Sequence, residues 1–124
     1  MPTLIACLSS GKGTWTEVNK LIQSQDWDKI FLITNNFGQE NYTNNQTNTT
    51  LILTDFYQEI PKIVEQITSQ LKNKITDFEV AINLVSGTGK EHMAILEAVL
   101  ELGLNFRLVT LNNNGQLEVL GLKR

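Results

Sequence analysis

Short apolar runs alternating with stretches of helical periodicity constrain this chain more than any other feature. Leu4–Leu8 is continuously apolar, as expected of a strand covered on both faces in a parallel sheet. Lys29–Thr34, Thr50–Thr54, Phe78–Leu84 and Asn105–Leu111 read as four more strands. Between them, Trp15, Val18, Leu21 and Ile22 recur at helical spacing, with Thr14 placed as an N-cap and Glu17 three residues on. Ile60, Ile63, Val64, Ile67 and Leu71 repeat the pattern, with Pro61 in the first turn, where its missing amide costs nothing. Met93, Leu96, Val99, Leu100 and Leu102 mark a third helix that Gly103 should end. Asn113-Asn114-Gly115 is a hairpin signal, returning Leu117–Leu120 antiparallel as a sixth, edge strand. The expectation is one α/β domain over residues 1–124 with a Rossmann-like, mostly parallel six-stranded sheet. Helices flank both faces, the strand order is 3-2-1-4-5, and the C-terminal hairpin strand lies at one edge.

In that order the first and fourth strands are neighbours, and the loops leaving their carboxyl ends flank the topological switch point, where open α/β sheets bind ligands. Two small-residue turns fall there. The first is Ser9-Ser10-Gly11-Lys12-Gly13-Thr14, and the second is Ser86-Gly87-Thr88-Gly89-Lys90, followed by the chain's one histidine, His92. Each leads into a helix whose first amides have no internal partner, an arrangement suited to anions. Lys12 and Lys90 supply positive charge, Ser9, Ser10, Ser86 and Thr88 supply hydroxyls, and the glycines allow close approach of backbone amides. His92 reads as a surface residue of its helix rather than a catalytic group.

Familiar chemistries fail on spacing. A dinucleotide fingerprint needs a third glycine where Thr16 stands, and neither turn has the Gly-Lys-Ser/Thr order of a Walker loop. One histidine, one cysteine and no clustered carboxylates offer no metal site, and no cofactor is implied. Cys7 lies in an apolar run and reads as a buried small hydrophobe. The net charge of -3 argues against a duplex-DNA binder, though not against a phosphorylated ligand held by local donors. No apolar run approaches the ~20 residues of a membrane span, and no basic leader precedes the first apolar run, so a cytoplasmic protein is expected. The Asn-rich segment 35–49 is long for a connection and reads as a solvated surface loop, with a short helix or a lid as alternatives.

The run Asn83-Leu84-Val85-Ser86-Gly87-Thr88-Gly89-Lys90, followed by an amphipathic helix, Gly103 and the strand Phe106 to Leu111, resembles the C-terminal signature of the CRISPR-associated Rossmann fold (CARF) domains. The usual pattern there is Asn-hydrophobic-Thr-Gly-Gly-Thr-Lys and a helix. This chain departs from it with Ser86 for the threonine and with Gly89 between Thr88 and Lys90. The resemblance implies a homodimer that binds a cyclic oligoadenylate across its two-fold axis. Ser9, Gly11, Gly13, Thr14, Asn83, Ser86, Gly87, Thr88, Gly89 and His92 would be the ligand-binding residues. Some family members are ring nucleases, in which a ribose 2′-hydroxyl attacks the adjacent phosphate without a metal. In that chemistry Ser10 would orient the ribose, and Lys12 or Lys90 would stabilise the developing charge. A sensor that binds the ring without cutting it, and an unrelated Rossmann-like enzyme for a nucleotide or sugar phosphate, are the other readings.

Overall fold

The computed structural model describes residues 3–9, 13–44 and 46–121. Its elements run β1 (Thr3–Cys7), α1 (Trp15–Gln23), β2 (Lys29–Thr34), α2 (Asn36–Asn41), β3 (Thr49–Leu53), α3 (Ile60–Leu71), β4 (Glu79–Asn83), α4 (Gly89–Glu101), β5 (Asn105–Leu111) and β6 (Leu117–Val119). The six strands lie in the order β3-β2-β1-β4-β5-β6. The first five are parallel, and β6 returns antiparallel with Val109 opposite Val119. The topology is the expected one, and the winding reverses between β1 and β4.

Each buried strand feeds two cores because alternate side chains point to opposite faces. Ile5, Cys7, Ile33, Val80 and Ile82 face α3 and α4. Leu4, Ala6, Leu8, Leu32 and Ala81 face α1, where they meet Trp15, Val18, Leu21 and Ile22. The continuous apolar run at the N-terminus is thus fully used, half on each side. Full burial of one such side chain contributes about 1.5–3 kcal/mol.

α4 departs from the expected face. Its buried residues are Glu91, Ala94, Ile95, Ala98 and Val99. Met93 and Leu100, expected in the core, are 59% and 60% exposed. Small alanines at i and i+4 let α4 lie close to α3 and the sheet, and the larger side chains turn outward. Val99 is buried as expected and Leu96 and Leu102 pack against the same core, so the expected stripe fails only at Met93 and Leu100, where Ala94, Ile95 and Ala98 take the core positions. The C-terminus ends as expected: Gly103 has φ +72°, its N–H donates to Leu100 O and the Leu104 N–H donates to Val99 O, a Schellman motif. Gly115, at φ +75°, closes the β5–β6 hairpin in the same left-handed conformation.

The Asn-rich segment contains structure rather than only a solvated loop. Asn35 caps α2 by accepting from Gly38 N at 3.1 Å. Asn44 donates to Tyr42 Oη and Thr49 Oγ1, and Asn48 donates to Trp27 O at 2.5 Å. Tyr42 is buried against Trp15, ring centroids 5.6 Å apart, and burial raises its phenol pKa above the ordinary value. The asparagines bond backbone and side-chain groups across the segment.

The outer edge of β3 is capped by side chains at its carboxyl end. Gln70 of α3 accepts from Leu53 N at 3.1 Å and donates to Leu53 O at 2.7 Å, and Gln66 accepts from Asp55 N at 2.9 Å.

Candidate functional site

The carboxyl ends of β1 and β4 are joined by their turns. Ser9 N donates to Ser86 Oγ at 3.1 Å, and the two serine hydroxyls lie 3.3 Å apart. Ser86 is 1% exposed, so its hydroxyl is engaged by Ser9 rather than presented to solvent. On the other side, Trp15 Nε1 donates to Ser9 O at 3.1 Å. The start of the first turn is therefore held from both flanks. Ser10, Gly11 and Lys12 lie outside the described residues.

The second turn is fixed almost atom by atom. Asn83 reaches across to β5, donating Nδ2 to Val109 O at 2.9 Å, while its Oδ1 accepts from Val85 N at 3.1 Å. Gly87 has φ +101°, and a Cβ placed on it would lie 2.8 Å from Cys7 Sγ and 3.1 Å from His92 Nε2. No side chain fits there, which explains why the turn needs a glycine. His92 Nε2 lies 2.7 Å from Ser86 O. A carbonyl only accepts, so Nε2 carries the proton and Nδ1 is the nitrogen left for other contacts. The half-buried His92 is thus part of the turn's architecture rather than a free surface residue.

Glu91 was not singled out by the sequence reading, although Thr88-x-x-Glu91 is a capping-box signature. Its carboxylate, buried beneath the turn, accepts from Thr88 N at 3.2 Å and from the Thr88 hydroxyl. Cys7 lies below it at the end of β1. Burial, reinforced by the nearby Glu91 carboxylate, pushes the Cys7 thiol up to about 12, which fits a packing role and not a nucleophile.

What remains open to a ligand is narrow. Thr88 and Gly89 are exposed, and Lys90 is half-buried and makes no ion pair among the described residues. A Cβ on Gly89 would meet nothing within 4 Å, and Gly89 lacks the positive φ of Gly87. Gly89 and Lys90 are the first two residues of α4, so their amides have no acceptor inside the helix. Gly89 thus leaves unobstructed space over the helix start. On the other turn, Gly13 is likewise unobstructed, while Thr14 occupies the N-cap position of α1 without a side-chain capping bond. The expected Thr14–Glu17 cap is absent because Thr14 has helical φ and ψ (-100°, -1°), whereas a capping residue is extended.

Among the described residues no three His, Cys, Asp or Glu side chains come together as a metal-binding group, and no helix is long and apolar enough to cross a membrane. The open donors of this edge are the Gly89 and Lys90 amides and the Lys90 ammonium, a set that suits phosphate oxygens. No protein-family model matches the chain, and no curated protein matches it in sequence.

Proposed function

We propose that this chain binds a cyclic oligoadenylate at the switch point between β1 and β4, as a CARF-like homodimer, and opens the ring. The observation that supports this reading is the direct Ser9–Ser86 bond, which makes one continuous wall of two helix-leading turns. Phosphates would lie over the Gly89 and Lys90 amides, with the Lys90 ammonium beside them. Ser10 and Lys12 would complete the wall from the first turn. In the reaction a ribose 2′-hydroxyl bonds through its oxygen to the adjacent phosphorus and gives up its proton, the P–O5′ bond breaks, and the 5′-oxygen takes up one proton, leaving a 2′,3′-cyclic phosphate at one end and a 5′-hydroxyl at the other. The product is linear, and no metal or redox partner takes part. Lys90 and Lys12 would stabilise the phosphorane, and Ser10 would orient the ribose.

The dimer reading is supported by an apolar surface on the α4 side of the sheet. Met93 and Leu100 are exposed two turns apart on α4, and Leu108 and Leu120, also exposed, lie side by side on β5 and the end of the hairpin. A second reading, binding without cutting, is favoured by the engagement of the Ser86 hydroxyl and of His92 Nε2 in the turn itself, which leaves only His92 Nδ1 of these groups for proton transfer.

Incubation with cyclic tri-, tetra- and hexa-adenylate in the presence of a chelator tests all three readings. Linear products and a stoichiometry of one ring per two chains are expected. Lys90→Ala and Lys12→Ala should weaken binding, and Ser10→Ala should slow cleavage more than it weakens binding. Tight binding without products establishes the sensor. No binding of any ring removes both readings and leaves an unrelated nucleotide or sugar-phosphate site.

A further inference from the structure

The two flanks of α3 are used differently. One turns Gln66 and Gln70 to the carboxyl end of β3. The other borders α4, which packs beside it. Along that border Ile60, Pro61 and Val64 line a cleft of about 510 Å³ together with Glu65, Glu97 and Glu101. A further cleft of about 500 Å³ continues from Glu101 past Thr68 and Leu102 to Lys72. The two share Glu101, and Pro61, Glu65, Thr68 and Lys72 fall at i, i+4, i+7 and i+11 along α3. They form one groove of about 18 Å, the length of α3. Val64 is buried and Ile60 and Leu102 are half-buried, all three on the core between the helices and the sheet. Leu100 lines a different cleft, over β5.

The rim of the groove is negative. Glu65, Glu97 and Glu101 are exposed. Glu65 has Lys62 at 3.4 Å, but α4 places no lysine or arginine within one turn of Glu97 or Glu101, and neither makes an ion pair among the described residues. Carboxylates at i and i+4 on a helix repel each other. The Glu101 carboxyl is accordingly raised above its ordinary value, first by its hydrogen bond with Glu97. A cation set between the two would relieve the repulsion. Lys72, at the far end, is the cation that the groove itself supplies.

The shape narrows the occupant. Both walls are helices, whose backbone groups bond internally. An extended peptide laid between them would find no backbone partners for its own amides and carbonyls. A helix brings its backbone bonds with it and needs only a place to bury its apolar stripe.

We infer that the α3–α4 groove receives an amphipathic helix of a partner protein, its apolar stripe on Ile60, Pro61 and Val64 and its lysine or arginine side chains beside Glu97 and Glu101. This surface covers the face of the sheet away from α1 and does not depend on the ring reading.

Titration of the labelled protein with a designed helical peptide of about four turns, leucine at i, i+3, i+4 and i+7 and lysine on both flanks, tests it by amide NMR. The lysine peptide should bind saturably and shift the signals of Ile60, Val64, Glu97 and Glu101. The same peptide with glutamate for lysine should bind at least about tenfold more weakly. A lysine peptide with glutamine for leucine should not saturate. Glu97→Gln combined with Glu101→Gln should weaken the leucine–lysine peptide roughly fivefold, with an unchanged melting temperature because both side chains are exposed. Equal binding of the lysine and glutamate peptides, equal binding of the leucine and glutamine peptides, no saturable binding, or unchanged affinity in the double variant would overturn the assignment. Shifts centred on Met93 and Leu108 would also overturn it, as would concentration-dependent shifts of the Ile60 and Val64 amides without peptide, which would give the groove to a second copy of this chain. Ring binding is read in a separate titration, so neither result decides the other.

Discussion

The turn after β4 and the turn after β3 leave the same edge of one sheet but are built differently. Between Asn83 and His92 most polar side chains are bonded inward: Asn83 to β5, Ser86 to Ser9, Thr88 to Glu91, His92 to Ser86 O. Between Thr54 and Glu59 the backbone rests on Asp55 and Gln66, and the Tyr57 ring is left in water. The first turn presents backbone amides in a fixed geometry, as phosphate oxygens require. The second presents side-chain surface to solvent. The two turns thus differ in what they expose, backbone held by inward bonds at one and an aromatic side chain in water at the other.

Substitutions on either side should separate these properties, and Gly87→Ala should do most. It forces a side chain into φ +101° and against Cys7 Sγ, so a loss of about 2–4 kcal/mol in urea unfolding is expected. A loss below about 1 kcal/mol would show that the turn relaxes easily and that its fixity is overstated. Ser86→Ala leaves the Ser9 amide without its acceptor in a closely packed place, and about 1–2 kcal/mol should be lost. If Ser86→Ala is neutral, the two turns are not mechanically joined. Gly89→Ala and Tyr57→Ala should each stay within ~0.5 kcal/mol, since neither site constrains the fold. Gly89→Ala should nonetheless weaken anion binding by crowding the helix start, and unchanged binding of a phosphate ligand would move the site away from α4.

Most of the fold was legible because strands buried on both faces leave an unmistakable mark. Leu4–Leu8 and Lys29–Thr34 have no polar alternation to confuse with a surface strand. The α4 face was misjudged where burial is carried by Ala94 and Ala98, whose small side chains give a weak periodic signal beside Met93 and Leu100. In the Asn-rich segment the short helix offered as an alternative is present as α2, and the preference for a solvated loop failed because composition says that asparagines favour loops and nothing about the partners they find, such as the Trp27 carbonyl under Asn48. The convergence of the two turns followed from strand order alone. Which of their groups would be consumed in joining them did not, because the Ser9–Ser86 contact spans 77 positions of sequence and leaves no local pattern. The groove between α3 and α4 was equally invisible: Val64 and Glu97 come from two separate helices with no motif between them.

The glutamine at the edge of β3 has a consequence for what the sheet can become. A strand edge behaves like the growing end of a polymer, offering a donor and an acceptor to the next peptide unit. The Gln70 carboxamide presents the complementary pair at peptide spacing but belongs to a side chain, so no further unit follows it. It acts as a chain stopper on Leu53, and polymerisation of the sheet through the carboxyl half of that edge is chemically terminated.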